Sequence, residues 1–329
     1  MKRFTMLKSS LCALCLVVAL SCSENKVDSS ATPIPQNLSS EKVKVVNGVL
    51  VFANQQEFDN TVTALRNKDS KILDEWETQF TGFTSMRKAY DSITEADMNK
   101  IGESQSLKGY DNYITIITTN GEKEATRIIG SDAIAALFNK DGIAIIGEDA
   151  YKYKFEKIIK VLKATSADIN ALAMFNPEGL KVNVKEMALV RMINGQTLSV
   201  KNGRPEGIQN DHCIDQYDNR RLVGESNVTR TIGGATFNSI TCAAKHQRRF
   251  AGVWWAESIS RIRLRLTSYL QYSSNGNYVL ISPWENEKTS ENKVSLDVAG
   301  CPCYGTIAYT ADGTTSDGEK MCSESESAF

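Results

Sequence analysis

Imidazole is nearly missing from this chain: among 329 residues only His212 and His246 carry one. That excludes a His-rich metal centre and leaves little material for His-based acid–base catalysis. Proline is scarce too, at six, and no P-loop, dinucleotide fingerprint, Ser-centred elbow or zinc-protease helix occurs. No apolar run reaches the roughly 18–20 residues that a membrane-spanning helix requires, so the body of the chain is expected to be soluble. Neither sign of charge dominates. Lys and Arg number 38 against 39 Asp and Glu, which argues against nucleic acid as a partner. Between Cys22 and Cys213 there is no cysteine at all.

What is present starts at the N-terminus. Lys2, Arg3 and Lys8 precede an apolar run from Leu11 to Leu20, which closes on Ala19-Leu20-Ser21-Cys22. The run is too short to span a bilayer and has the flanks of an export signal, so 1–21 is excluded from fold reasoning. Ala19 and Ser21 suit ordinary signal peptidase, while the sequence ending in Cys22 resembles a lipobox of the looser kind. Lipidation of Cys22 is the reading adopted, with plain secretion as the alternative. Several acyl chains on one cysteine give stable anchoring where one chain is marginal. Residues 22–42 are polar with two prolines and read as a disordered tether, of r.m.s. reach ~25 Å. The expected location is the outer membrane, facing the periplasm or the cell surface. Without the signal and its three basic residues the balance is four charges negative.

Export to an oxidising compartment makes disulfides expected. The candidates are Cys213, Cys242, Cys301, Cys303 and Cys322, all in the last 117 residues. Five is odd, so two bridges leave one thiol free unless a partner chain supplies a sixth. Separate partners are expected for Cys301 and Cys303. Cys303–Cys322 is one closure among several.

Hydrophobic period divides the chain into two kinds of segment. Residues 44–53 read as strands around an Asn47-Gly48 turn, and Asn54 with Glu57 reads as a capping box opening a helix. Further helices are expected over roughly 69–80, 83–90, 95–103 and 131–138. Strands are expected over 113–118, 143–146, 150–155, 157–163 and 182–193. A shift to Gly, Asn, Pro and Gln over 194–209 marks a linker, and beyond it strand signals recur every 8–12 residues. The fold class predicted is α+β: a mixed domain over 43–200, then a disulfide-bearing, mainly antiparallel, sandwich-like β domain over 201–329.

Three stretches, VNGVLVFANQQEFDNTVTAL, WETQFTGFTSM and LFNKDGIAIIGEDAYKY, resemble uncharacterised Bacteroidota lipoproteins of a domain-of-unknown-function family. The shared pieces are an opening NGxLxF strand, here Asn47 to Phe52, and an NxxGxxxIG hairpin, here Asn139 to Gly147. The resemblance implies origin and a surface or periplasmic location, and brings no activity, cofactor or catalytic residue.

Candidate chemistry is thin. His212-Cys213 and Cys242-x-x-x-His246 supply four zinc-type ligands, set against disulfide formation by the same cysteines. Arg261, Arg263 and Arg265 alternate with apolar residues and form a row that suits an anionic glycan or other polyanion, or cross-strand pairing with Glu257, Glu285 or Asp297. Trp254-Trp255 are candidate sugar contacts, one inward and one outward on a strand, with core packing of both as the alternative. No cofactor is implied. The function expected is a membrane-anchored, non-catalytic binding or interaction protein with a glycan or protein partner. The alternative is an extracytoplasmic hydrolase whose site is assembled from residues distant in sequence, recognisable by a deep polar pocket.

Overall fold

The computed structural model describes residues 43–104, 106–119, 121–174, 184–193, 196–197, 199–201, 204–206, 213–232, 234–266, 270–274, 277–281, 284–299, 306–315 and 318–328. All lie within one compact unit, Gln36–Phe329. The expected signal peptide, tether and Cys22 fall outside the described residues, as do His212, Cys301 and Cys303.

Strands β1 (Lys44–Val46) and β2 (Val49–Phe52) form the expected hairpin. Asn47 and Gly48 have φ of 52° and 73°, the left-handed pair that such a turn needs. Four helices follow: α1 (Gln55–Leu65), α2 (Ser70–Glu77), α3 (Met86–Asp91) and α4 (Glu95–Ser104). Their starts are written in the sequence, since Asn54, Asp69 and Ser85 each accept a backbone N–H as N-caps. Glu57 returns its carboxylate to Ala53 N (2.8 Å), one residue before the site expected of a capping box.

Next come β3 (Ile114–Thr119), β4 (Glu122–Arg127), α5 (Asp132–Leu137), β5 (Ile143–Ile146), β6 (Asp149–Tyr153), β7 (Lys157–Val161), α6 (Ser166–Ala173) and β8 (Val184–Ile193). The segment expected as a linker contains three short strands, β9 (Gln196–Thr197), β10 (Ser199–Lys201) and β11 (Arg204–Glu206). The back half continues with β12 (Cys213–Tyr217), β13 (Arg220–Thr231), β14 (Gly234–Phe250), β15 (Val253–Ala256), β16 (Ile259–Leu266), β17 (Leu270–Ser274), β18 (Asn277–Ile281), β19 (Trp284–Glu291), β20 (Lys293–Ala299), β21 (Thr306–Thr315) and β22 (Gly318–Ala328).

The protein is mostly β, with its helices gathered early. Among the described residues one mixed sheet joins sixteen strands, along β1-β2-β5-β6-β7-β8-β13-β14-β15-β4-β3-β11-β10. Strands of the two expected domains pair directly: β8 with β13, β4 with β15, and β11 with β3. The large sheet therefore continues across the expected boundary at residue 200. A smaller sheet, β19-β16-β21-β22, lies against part of the large one, with β21 and β22 next to β13 and β16 next to β14.

The main core lies between the large sheet and α1, α2 and α5. There Phe58, Phe138 and Phe237 meet edge to face with Phe52 and Tyr153, at centroid distances of 5.1–6.3 Å. A second cluster sets α6 residues Ile169 and Leu172 on Val49, Ile143, Ile145 and Ile159. A third joins Ile101 of α4 to Ile114, Ile116, Val253 and Trp255.

Candidate functional site

A cavity of about 390 Å³ opens between the middle of the large sheet and the layer of α2 and α3. Its floor is one face of the paired strands β13 and β14 and, beyond β15, of β4. Residues two apart on a strand share a face, so Glu124 and Thr126 of β4, Glu225 and Asn227 of β13, and Thr241, Lys245 and Gln247 of β14 stand together. Its roof holds Asp74 of α2 and Arg87, Lys88 and Asp91 of α3, and its rim holds Arg127, Asp132, Lys288, Glu291 and Lys293. Six carboxylates and six cations therefore share one wall.

The floor is a closed network. Arg221 donates through Nη2 to Glu124 Oε2 (2.8 Å) and through Nε to Gln247 Oε1 (2.7 Å). Lys245 bonds Glu124 Oε1 (3.2 Å) and pairs tightly with Glu225, which also accepts from Asn227. Burial alone raises the Glu124 carboxyl, but Lys245 and Arg221 outweigh it and bring it down to about 2. Burial likewise depresses the Lys245 ammonium, and Glu225 and Glu124 more than restore it.

Roof and rim are held more loosely. Arg87 is claimed first by Glu77, at 3.0 and 3.1 Å, and by Asp74, which leaves Asp91 a single contact at 3.4 Å. Burial raises the Asp91 carboxyl, and Arg127 and Arg87 only partly offset it. Asp132 behaves in the opposite way. Burial is overcome by Lys293 and Arg127, which hold it well below the usual carboxylate range. Lys293 reaches Asp132 only at 3.4 and 3.5 Å, and burial lowers its ammonium.

No family model and no curated protein matches this chain. One similar solved structure comes from Bacteroides. It is the crystal structure of a DUF4848 family protein from Bacteroides thetaiotaomicron, matched over 85% of this chain and 98% of its own, with 12% identity and a TM-score of 0.28. A likeness of that degree transfers no site to this chain.

The residues singled out in the sequence lie away from the cavity floor. Arg261, Arg263 and Arg265 stand on β16 beside cross-strand carboxylates: Arg261 with Glu287 (3.5 Å), and Arg263 and Arg265 with Glu285 (3.4 and 3.2 Å). The other face of that strand, Ile262 and Leu264, is fully buried. Trp254 and Trp255 are both buried, at 1% and 2% exposure, so neither offers an open ring to a sugar. The indole N–H of Trp254 donates to Glu122 (2.7 Å) and the Arg221 guanidinium covers its ring at 4.4 Å. Trp255 packs in the α4 cluster.

Backbone register also separates the proposed cysteine and histidine partners. Cys242 and His246 are four residues apart on β14, ~13 Å along a strand, too far to share a zinc ion. Cys213 faces Gly224 and Cys242 faces Ser226, with β13 lying between them. Two strand spacings are ~10 Å, beyond the ~7 Å Cα limit of a disulfide, so these two cysteines are not partners. Cys242 is free and buried, and burial raises its thiol well above the ordinary value. Among the described residues no group of three His, Cys, Asp or Glu is placed to hold a metal ion.

His246 is instead a pin. A carbonyl only accepts, so its Nδ1–H donates to Glu257 O (2.8 Å) and its Nε2 accepts the Tyr217 hydroxyl (2.7 Å). Burial lowers its pKa, which suits this neutral form. Lys152 is a second buried charge with a structural role. Its ammonium donates to Leu172 O (2.8 Å) at the C-terminal end of α6 and to Asn112 Oδ1 (3.0 Å), while burial lowers it to about 7.

The cavity residues come from nine elements and from positions as far apart as 70 and 293, with no motif spacing among them. The signal that exists is indirect: charged residues at strand positions where an apolar residue would serve a closed core.

Proposed function

We propose that this protein is an exported lipoprotein, anchored at the outer membrane through Cys22 and its tether, whose folded body binds a small polar ligand without transforming it. The observation that carries the binding part is the cavity: about 390 Å³, within the range of small-molecule sites, and lined by fixed charges. Non-catalytic binding is supported by the closed floor, where Glu124 and Glu225 are committed to Arg221 and Lys245. The small sheet laid over β13 and β14 supports reading 201–329 as a sandwich-like part built onto the α+β front. Its Arg261–Arg265 row is a lesser candidate for polyanions, because Glu285 and Glu287 stand within it.

The test of the anchor is intact and peptide mass spectrometry of membrane-extracted protein under non-reducing conditions. A diacyl or triacyl mass on Cys22, two bridges among Cys213, Cys301, Cys303 and Cys322, and an unmodified Cys242 are expected. An unacylated Cys22 joined to another cysteine overturns the anchor. Ligand screening by thermal shift, over glycans, sulfated oligosaccharides and small metabolites, tests the binding.

One observation favours the hydrolase as a second reading. Asp91 and Asp132 face the same cavity with pKa values moved in opposite directions, the pattern of an acid and base pair. Turnover of a glycoside or peptide that is lost in D132N would establish it.

A further inference from the structure

The cavity's charges are not equally satisfied, and the difference has a direction. Its floor is saturated by contacts of about 3 Å or shorter. On the α3 side Asp91 keeps one 3.4 Å contact, to an arginine already shared by Glu77 and Asp74, and 47% of its side chain stays open although the residue lines the cavity. On the β20 side Lys293 keeps only its 3.4 and 3.5 Å contacts to Asp132, and 22% of its side chain is open. Beside it Arg127 donates from Nε to Ile129 O (2.6 Å) and from Nη2 to Gly130 O (3.0 Å) and Asp132, leaving Nη1 without a protein partner among the described residues. The cavity wall thus holds an anion with one long contact near a pair of cations with donors to spare.

A ligand that displaces cavity water removes the screening of all these groups. A polyanion would relieve Lys293 and Arg127 but would press against Asp91, Glu124, Asp132 and Glu225. A neutral sugar would leave both loose charges uncompensated, and the one aromatic residue of the described wall, Tyr90, gives its hydroxyl to Ala125 O (3.1 Å). A molecule carrying one ammonium and one carboxylate answers the anion and the cations at once. Charge-assisted bonds of this kind are about twice as strong as neutral ones.

Resting on the binding reading above, we propose that this cavity receives a small zwitterion, an amino acid or short peptide, with its ammonium on Asp91 and its carboxylate on Lys293 and Arg127. Burial moves Asp91 and Lys293 each toward the neutral form, which a counter-charge would reverse.

The test is isothermal titration of the full detergent-extracted lipoprotein with free amino acids and dipeptides. The same compounds are tried N-acetylated, C-amidated and doubly capped, beside neutral and sulfated oligosaccharides. Binding of a free zwitterion is expected, weakened tenfold or more by either cap and lost with both. D91N should bring the free ligand down to the affinity of its N-acetyl form and leave that form unchanged. K293Q should do the same for the amide. The capped series on the unsubstituted protein stands even if a variant fails to fold. Capped ligands binding as tightly as free ones, or no zwitterion binding to folded protein, overturn the proposal. An oligosaccharide whose binding D91N abolishes overturns it too, while leaving the binding reading intact. Binding of no compound in the series removes both.

Discussion

Asp297 carries a carboxylate into the core, at 4% exposure, and only part of it is satisfied. The Ser131 hydroxyl donates to Oδ2, whereas Oδ1 has no hydrogen-bond partner. A void of about 10 Å³ beside it is close to the room that one water needs. Burial raises its pKa to about 6, with Asp132 adding and Ser131 and Lys293 opposing. The folded value lies above the unfolded one, so this group's contribution to stability falls as pH rises from about 4 through about 6. Asp297→Asn should therefore stabilise the protein at pH 7.5 by on the order of 1–3 kcal/mol, an advantage that vanishes near pH 4. Urea unfolding at the two pH values checks it. A loss of stability at pH 7.5 would mean that the bonds made to the carboxylate outweigh its desolvation.

At the scale of elements, α4 owes its place to a missing side chain. A Cβ built on Gly102 would lie 2.4 Å from Ala251 Cβ and 2.6 Å from Ala251 O, in the turn between β14 and β15. Gly102→Ala gains about 1 kcal/mol of helix propensity but forces α4 off that turn, so a net loss of about 1–3 kcal/mol is expected. The shift of the thermal midpoint measures it, and a rise would show that the turn yields without cost. Elements with an apolar stripe and a cap were legible in the sequence: α1, α2 and α5 begin where Asn54, Asp69 and Ser131 announce them. Strand β4, EKEATR, was not legible, because its floor face holds Glu124 and Thr126 and only Ala125 is apolar. The start of β13 was hidden for the same reason, with Arg221 and Glu225 on the floor side. Helix α6 was overlooked although Thr165 and Asp168 form a full capping box.

For the whole molecule, the pairings β8–β13 and β4–β15 tie the two halves into one sheet. Residues 43–200 expressed alone should lose cooperative unfolding, because the cut bares the edges of β8 and β4 and opens the floor of the cavity. A well-dispersed amide NMR spectrum from that fragment would support the two-domain division. The Cys242 thiol, on β14 between β13 and β20, is free and buried. By itself the sequence determined what depends on neighbours along the chain. This covers the helix caps, the Asn47-Gly48 turn and the prevalence of strands toward the C-terminus. Tertiary structure alone decided which strands adjoin, and therefore where charge collects. Glu124, Lys245 and Asp91 come together only through sheet order and the seating of α3, and these are set by long-range packing that no local spacing encodes.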